Sequence, residues 1–267
     1  IEFHEALNVS CSALMKLYGG LGGSTECSIA NSLWTDPEGR MQEDFVGRCS
    51  GIFDAQVFQE DLSAPVIVPA LNSWVSDHTA GMIPQIIQRP FGEDAAALMV
   101  NALYLKNTWA TKFDPSDTVT RDFTRADGTA EPLDFLQHFS RSLTYLQSGS
   151  DEGVLLPYDD GRLAFFALMP RQSSGVPDFE RWLSSLTGEG LSALLSGREE
   201  TFFLRLSLPK FEQEWSGELK DALAALGLTD AFDPDLADFS LLGDDPRGYY
   251  LSQVIHAARI EVNEEGT

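Results

Sequence analysis

Four histidines, at positions 4, 78, 138 and 256, and three cysteines, at 11, 27 and 49, are the side chains from which acid–base, metal or thiol chemistry would have to start. His4-Glu5 opens the zinc-hydrolase pattern HExxH, which needs a second histidine at position 8, where the chain has Asn8. One ligand of the pair is missing, so His4 reads as a surface histidine on a helix. Gly22-Gly23-Ser24 is followed by Thr25-Glu26, which is not the G-x-S-x-G turn that presents a serine nucleophile, and neither a Walker loop nor a dinucleotide fingerprint occurs. Cys11, Cys27 and Cys49 are odd in number and lack CxxC spacing, indicating neither a disulfide framework nor a metal site. No histidine is well placed as a general base. Among enzymes this leaves an acidic hydrolase, for which the 41 Asp and Glu offer many carboxylate pairs. No catalytic residue, metal ligand or cofactor is nominated, and the expectation is a protein that is not an enzyme.

Lys and Arg total 18 against those 41 carboxylates, a formal charge of -23. That balance disfavours nucleic acid and anionic membrane surfaces as partners; it serves solubility first, and steering of a basic protein second. With 267 residues, 43% of them apolar, the chain has material for a sizeable core. No apolar run is long enough to cross a bilayer, and residues 1–20 lack the basic start and apolar middle of a secretion signal, so the chain reads as beginning inside a folded domain.

The elements follow from periodicity. Phe3, Leu7, Leu14 and Leu17 predict a helix over 1–17, ended by Gly19 and Gly20. Residues 28–34 read as a short strand and 41–53 as a helix. Leu71, Trp74, Val75 and His78 share a helical face within 70–87 before Gly81 and Pro84 interrupt it. From Ala95 to Leu105 the chain is apolar apart from Asn101, which predicts a central strand covered on both faces. Residues 121–170 alternate strands and turns, with a hairpin at Asp127-Gly128 and another at Asp159-Asp160-Gly161. Phe179, Trp182, Leu183 and Leu186 predict one helix over 177–195; residues 201–211, including Phe202 and Phe203, alternate as a strand; Leu219, Leu223 and Leu226 predict a helix over 217–226 capped by Gly227.

The last stretch, Leu251 to Thr267, organises the rest. Val254, His256, Ala258, Ile260 and Val262 fall on one face, predicted to be the inward one, before a polar exit through Asn263, Glu264, Glu265, Gly266 and Thr267. A buried amide without a partner costs about 1–3 kcal/mol, and Asn101 and His256 are each the lone polar group on an apolar strand face. The economical expectation is that the two strands meet and Asn101 bonds His256.

Taken together, these stretches resemble the serpins, a family of suicide protease inhibitors. The resemblance is carried by Asn72, Trp74, Val75, Thr79, Gly81 and Ile83; by Asn101, Tyr104, Lys106 and Trp109, followed by Phe113, Thr118 and Phe123; by Leu156-Pro157-Tyr158 before a turn; by Leu208-Pro209-Lys210-Phe211; by Gly227, Ala231, Phe232, Ala237, Asp238, Phe239 and Ser240; and by Val254 to Ala258 with Glu261 to Thr267. One departure stands out: Asn107 occupies a position where the family usually has glycine.

The resemblance implies an α+β fold with a large central β-sheet, further sheets and surrounding helices, in a single domain over 1–267. It implies that the family's first helices, the reactive loop beyond Thr267 and the C-terminal strands lie outside this sequence. Asn101 and His256 match the polar cluster called the shutter. Glu264, Glu265, Gly266 and Thr267 match the reactive-loop hinge. Lys210 and Glu264 match a latch at the top of the sheet, with Trp109 packed beneath. The implied function is covalent trapping of a serine protease, by cleavage of the loop and its insertion as an extra strand between the strands of Asn101 and His256. The implied partners are the target protease and the missing C-terminal segment or a second chain, and the implied location is extracellular. A non-inhibitory carrier or binding protein on the same fold is the alternative.

Overall fold

A computed structural model describes residues 2–21, 24–37, 41–125, 127–140, 143–149, 151–171, 179–201, 204–243 and 248–267, and for 2–4, 140 and 198–201 it describes the backbone alone. The side chains of Phe3 and His4, and residues Phe202 and Phe203, lie outside the described set. The helices are α1 (Glu2–Gly19), α2 (Glu43–Phe53), α3 (Ile67–His78), α4 (Phe179–Ser185), α5 (Gly188–Ser196) and α6 (Lys220–Ala225). The strands are β1 (Glu26–Thr35), β2 (Ala55–Gln59), β3 (Ala97–Lys106), β4 (Val119–Thr124), β5 (Ala130–Ser140), β6 (Leu143–Ser148), β7 (Asp151–Pro157), β8 (Ala164–Pro170), β9 (Arg198–Thr201), β10 (Leu204–Pro209), β11 (Phe211–Glu218) and β12 (Ile255–Val262). They gather into two compact units, the first from 1–21, 26–105 and 213–260, the second from 22–25, 106–212 and 261–267.

In the first unit, a sheet in the order β2-β1-β3 carries α3. Ile67, Leu71, Trp74 and Val75 recur at helical spacing and are buried, packed with Trp34, Leu62, Ile87, Val100 and Ala102. Two tryptophans satisfy their indole N–H groups within this core: Trp34 donates to Ser32 Oγ and Trp74 to Gln56 Oε1, each at 2.8 Å. α3 stops at His78 because Thr79 bonds back to the Val75 carbonyl and Ala80 and Gly81 turn left-handed, at φ 50 and 78. Asn72 then holds the departing chain: its Oδ1 accepts from the N–H groups of Ile86 and Ile87, and its Nδ2 donates to the Ile87 carbonyl.

β3 differs from expectation. Val100 and Ala102 are buried, but Met99, Leu103 and Leu105 on the opposite face are 56%, 61% and 41% exposed, and Asn101 on that face, expected to be buried, is exposed as well. β12, paired with β11, is also turned over along 255–260, where Ile255, Ala257 and Arg259 are half-buried while His256, Ala258 and Ile260 are exposed; at its end Val262 is buried, as expected. Both faces carry small and aliphatic residues, so the sequence contrast is slight, and contact of Ile255 with the core and of Arg259 Nη1 with the Met82 carbonyl decides the face.

The second unit holds two sheets, β10-β5-β4 and β8-β7-β6-β9. Its core joins Leu136, Leu143, Val154, Leu156 and Leu208 to Trp109, Phe113, Tyr158 and Val262. Asp127 Oδ1 accepts from the Thr129 N–H and hydroxyl, and Gly128 sits at φ 84, which makes the β4–β5 hairpin. The single helix expected over 177–195 is two, because Thr187 takes an extended conformation and caps α5 through the Gly190 N–H at 3.0 Å. The helix expected over 217–226 is shorter, since residues up to Glu218 extend as β11.

Gly153, opposite Leu168 in the β7–β8 ladder, tolerates no side chain: a Cβ there would lie 2.4 Å from the Ala167 carbonyl oxygen and 2.6 Å from Leu168 Cδ2. Gly153→Ala is therefore expected to lower stability by about 1–3 kcal/mol through overpacking. A urea midpoint equal to wild type would show that this ladder yields without cost.

Candidate functional site

Beyond β3 the chain runs on through Asn107, Thr108 and Trp109, and this short extension is where the second unit receives the end of β12. Trp109 is 2% exposed, stacked on Tyr158 at 5.1 Å and met edge-on by Phe113 and Phe165. Its indole N–H donates to the Asn263 carbonyl at 2.9 Å. Asn263 in turn reverses the chain: its Oδ1 accepts from the N–H groups of Glu265 and Gly266, and its own N–H donates to the Gly266 carbonyl.

After that turn, Gly266 and Thr267 run antiparallel to the extension. The Asn107 N–H donates to the Thr267 carbonyl at 2.9 Å, and the Thr267 N–H returns to the Asn107 carbonyl at 3.1 Å. The Trp109 N–H donates to the Glu265 carbonyl and the Phe113 N–H to that of Glu264. The Thr267 hydroxyl is hydrogen-bonded to the Tyr158 hydroxyl. Contact is closest at Gly266, where a Cβ would sit 1.8 Å from the Asn107 carbonyl oxygen.

Three carboxylates flank this pairing. Glu264 Oε2 lies 2.9 Å from Lys210 Nζ, and its Oε1 accepts from the Thr118 hydroxyl. The Lys210 hydrogen bond lowers the Glu264 pKa most; desolvation opposes it, and the Thr118 hydroxyl adds to the lowering. Lys112 forms a further ion pair with Glu265. Asp160 gathers four donors: the N–H groups of Arg162 and Leu163 on Oδ1, the Thr25 hydroxyl and the Asn107 amide on Oδ2. Desolvation pushes its carboxyl up, but these donors outweigh that and hold it at about 2.

A family model described as Serpin (serine protease inhibitor) matches residues 2–267. The chain belongs to the serpin family. It is 32% identical over 200 residues to Serpin B10 of Sorex araneus, covering 74% of this chain and 49% of that protein. Against Plasminogen activator inhibitor 1 of Neovison vison it is 33% identical, covering 96% of this chain and 65% of that one. The native-state crystal structure of tengpin, a thermophilic serpin, superposes with a TM-score of 0.87 at 28% identity, covering 98% of this chain and 66% of tengpin. The α+β fold is thus the serpin fold, and the chain spans about half the length of the Serpin B10 relative it matches.

Among the positions matched to serpin features, the structure brings together Trp109, Lys210 and Glu264 to Thr267, as described. Asn101 and His256 it does not. Asn101 Nδ2 donates to Asn31 Oδ1 at 2.9 Å, and Asn31 Nδ2 donates to the Phe53 carbonyl at 2.8 Å, linking β3, β1 and the end of α2. His256 is exposed, its ring 5.9 Å from that of Trp215. β3 and β12 belong to different hydrogen-bonded sheets, with a cavity of about 520 Å³ bordered by Leu98, Val100 and Ile255. In the sequence Asn31 is a polar residue within the strand 28–34 and Asp160 a member of the turn after Tyr158; neither pattern marks its hydrogen-bond partners.

Because the folded pKa of Glu264 is depressed, its contribution is present above the ordinary carboxylate range and is lost as pH falls through and below that range. Lys210 is 42% exposed, so screening limits the pair to about 0.5–1 kcal/mol. Glu264→Gln is expected to lower the melting temperature at neutral pH and to flatten its decline between about pH 5 and pH 3. Parallel melting curves for the two proteins across that range would contradict this.

Proposed function

We propose that this protein is a suicide inhibitor of serine proteases, which presents a loop following Thr267 as bait and traps the enzyme when the cleaved loop enters the sheet. The observation that carries this reading is the antiparallel pairing of Gly266 and Thr267 with Asn107 and Thr108. The chain leaving β12 has already reversed and laid its first residues down as strand, so continued zippering adds a strand rather than starting one. Among the described residues of the first unit no ladder joins β3 to β12, and a cavity bordered by 95–101 and 248–255 lies where β12 begins, which supports room for such a strand. Strand addition then supplies ladder hydrogen bonds and burial absent from the uninserted form, which makes the latter metastable.

In this reading Glu264, Glu265, Gly266 and Thr267 are the hinge, and Lys210 with Glu264 restrains its base above Trp109. Asn101 acts in the shutter through Asn31 rather than through His256. The description of the matching family, serine protease inhibitor, points to a serine protease as the target class.

Incubating the intact protein with trypsin, chymotrypsin and elastase and separating the products on denaturing gels tests the proposal. A band at the summed mass, stable to boiling, is expected with at least one enzyme. Loop cleavage by all of them without such a band would replace this reading with that of a non-inhibitory serpin-fold binding protein.

A further inference from the structure

Asn107 is 2% exposed. Glycine would leave the β3 extension free at this point. Asparagine ties it: Asn107 Nδ2 donates to Asp160 Oδ2 at 2.9 Å, and Asn107 Oδ1 accepts from the Thr108 N–H at 2.9 Å. The same residue's backbone N–H and carbonyl make both hydrogen bonds to Thr267. One residue thus faces a carboxylate with its side chain and Thr267 with its main chain.

We propose that Asn107, held by Asp160, is a positioning residue that keeps Gly266 and Thr267 docked as the first residues of the inserting strand. The proposal rests on the inhibitor reading above for its consequence, though the docking itself is independent of it. Closing a loop onto a strand must be completed before ladder bonds accumulate, so a hinge docked in advance removes the slow beginning of insertion. The geometry makes Asp160 a suitable anchor. Its second oxygen is fixed by the 162–163 main chain, and the Thr25 hydroxyl shares Oδ2, so the carboxylate cannot turn away without breaking several bonds. Loosening Asn107 leaves the 158–163 turn intact while freeing the extension to shift under Thr267. Early insertion then slows, and a cleaved inhibitor has more time to release its protease by hydrolysis of the acyl-enzyme ester, the serine hydroxyl leaving and water supplying the new carboxylate.

Hydrogen exchange of the intact protein, followed by mass spectrometry without any protease target present, is the test. Asn107→Asp sets two carboxylates against each other and should speed amide exchange in the peptide covering 263–267 by about tenfold, the loss of a charge-assisted bond. The exchanged pair N107D/D160N restores a donor facing an acceptor and should return that rate to within about twofold of wild type. Exchange in β5 and β10 should not change in any variant. Asn107→Gly, which simply removes the amide, should also speed the 263–267 peptide and carries the comparison where N107D alone does not fold. Unchanged exchange at 263–267 in N107G overturns the proposal, as does faster exchange that extends to β5 and β10 and is not reversed in the exchanged pair. The trapped fraction on gels, measured in parallel, should fall in N107G and recover in N107D/D160N; if no protein forms a covalent band, the inhibitor reading fails while the exchange data still decide the docking.

Discussion

The indole N–H of Trp109 lies in the core of the second unit and finds its acceptor in the Asn263 carbonyl at 2.9 Å. A buried donor left unpaired costs about 1–3 kcal/mol, so this bond fixes where β12 must end and where the chain must turn. The turn built on the Asn263 side chain follows, and with it the antiparallel approach of Gly266 and Thr267 to Asn107. Tyr158 completes the arrangement by stacking on the same indole while its hydroxyl meets Thr267. The aromatic cluster is therefore both a core and a template for the stretch that follows β12.

Much of this was legible in the sequence, but unevenly. α3 could be read because Leu71, Trp74 and Val75 repeat at helical spacing and Gly81 marks its end; the β7–β8 hairpin because an apolar run is split by Asp159-Asp160-Gly161. Lys210, Glu264 and Trp109 were placed by resemblance to an ordered family pattern and do come together. The two-faced strands resisted. β12 carries aliphatic or small residues on both sides, and only the packing of Ile255 and Arg259 determines which side is inward. β3 reads as buried throughout because its residues are apolar, whereas burial depends on what lies against each face.

The same limit explains the polar pair. A buried amide needs a hydrogen-bonding group without specifying its address, and Asn101 is in fact exposed, so burial does not compel its bond. Asn31 on the neighbouring strand accepts from the Asn101 amide at 2.9 Å, and His256 goes to the surface beside Trp215. Periodicity ranks faces of an element; it does not rank partners across a sheet. Asp160 was equally invisible, since an aspartate in a turn is ordinary, and its reach to Thr25 and Asn107 depends on chain segments far apart in sequence.

Gly266 gives the molecule an unusual genetic profile. A Cβ at that position would stand 1.8 Å from the Asn107 carbonyl oxygen, and every other amino acid has a Cβ. All missense alleles at this codon therefore share one first-order effect, a widening of the gap between two main chains, whatever the polarity or size of the new residue. Substitution scores that rank alanine or serine as mild replacements for glycine would misjudge this site, because what is inherited there is a distance rather than a side chain.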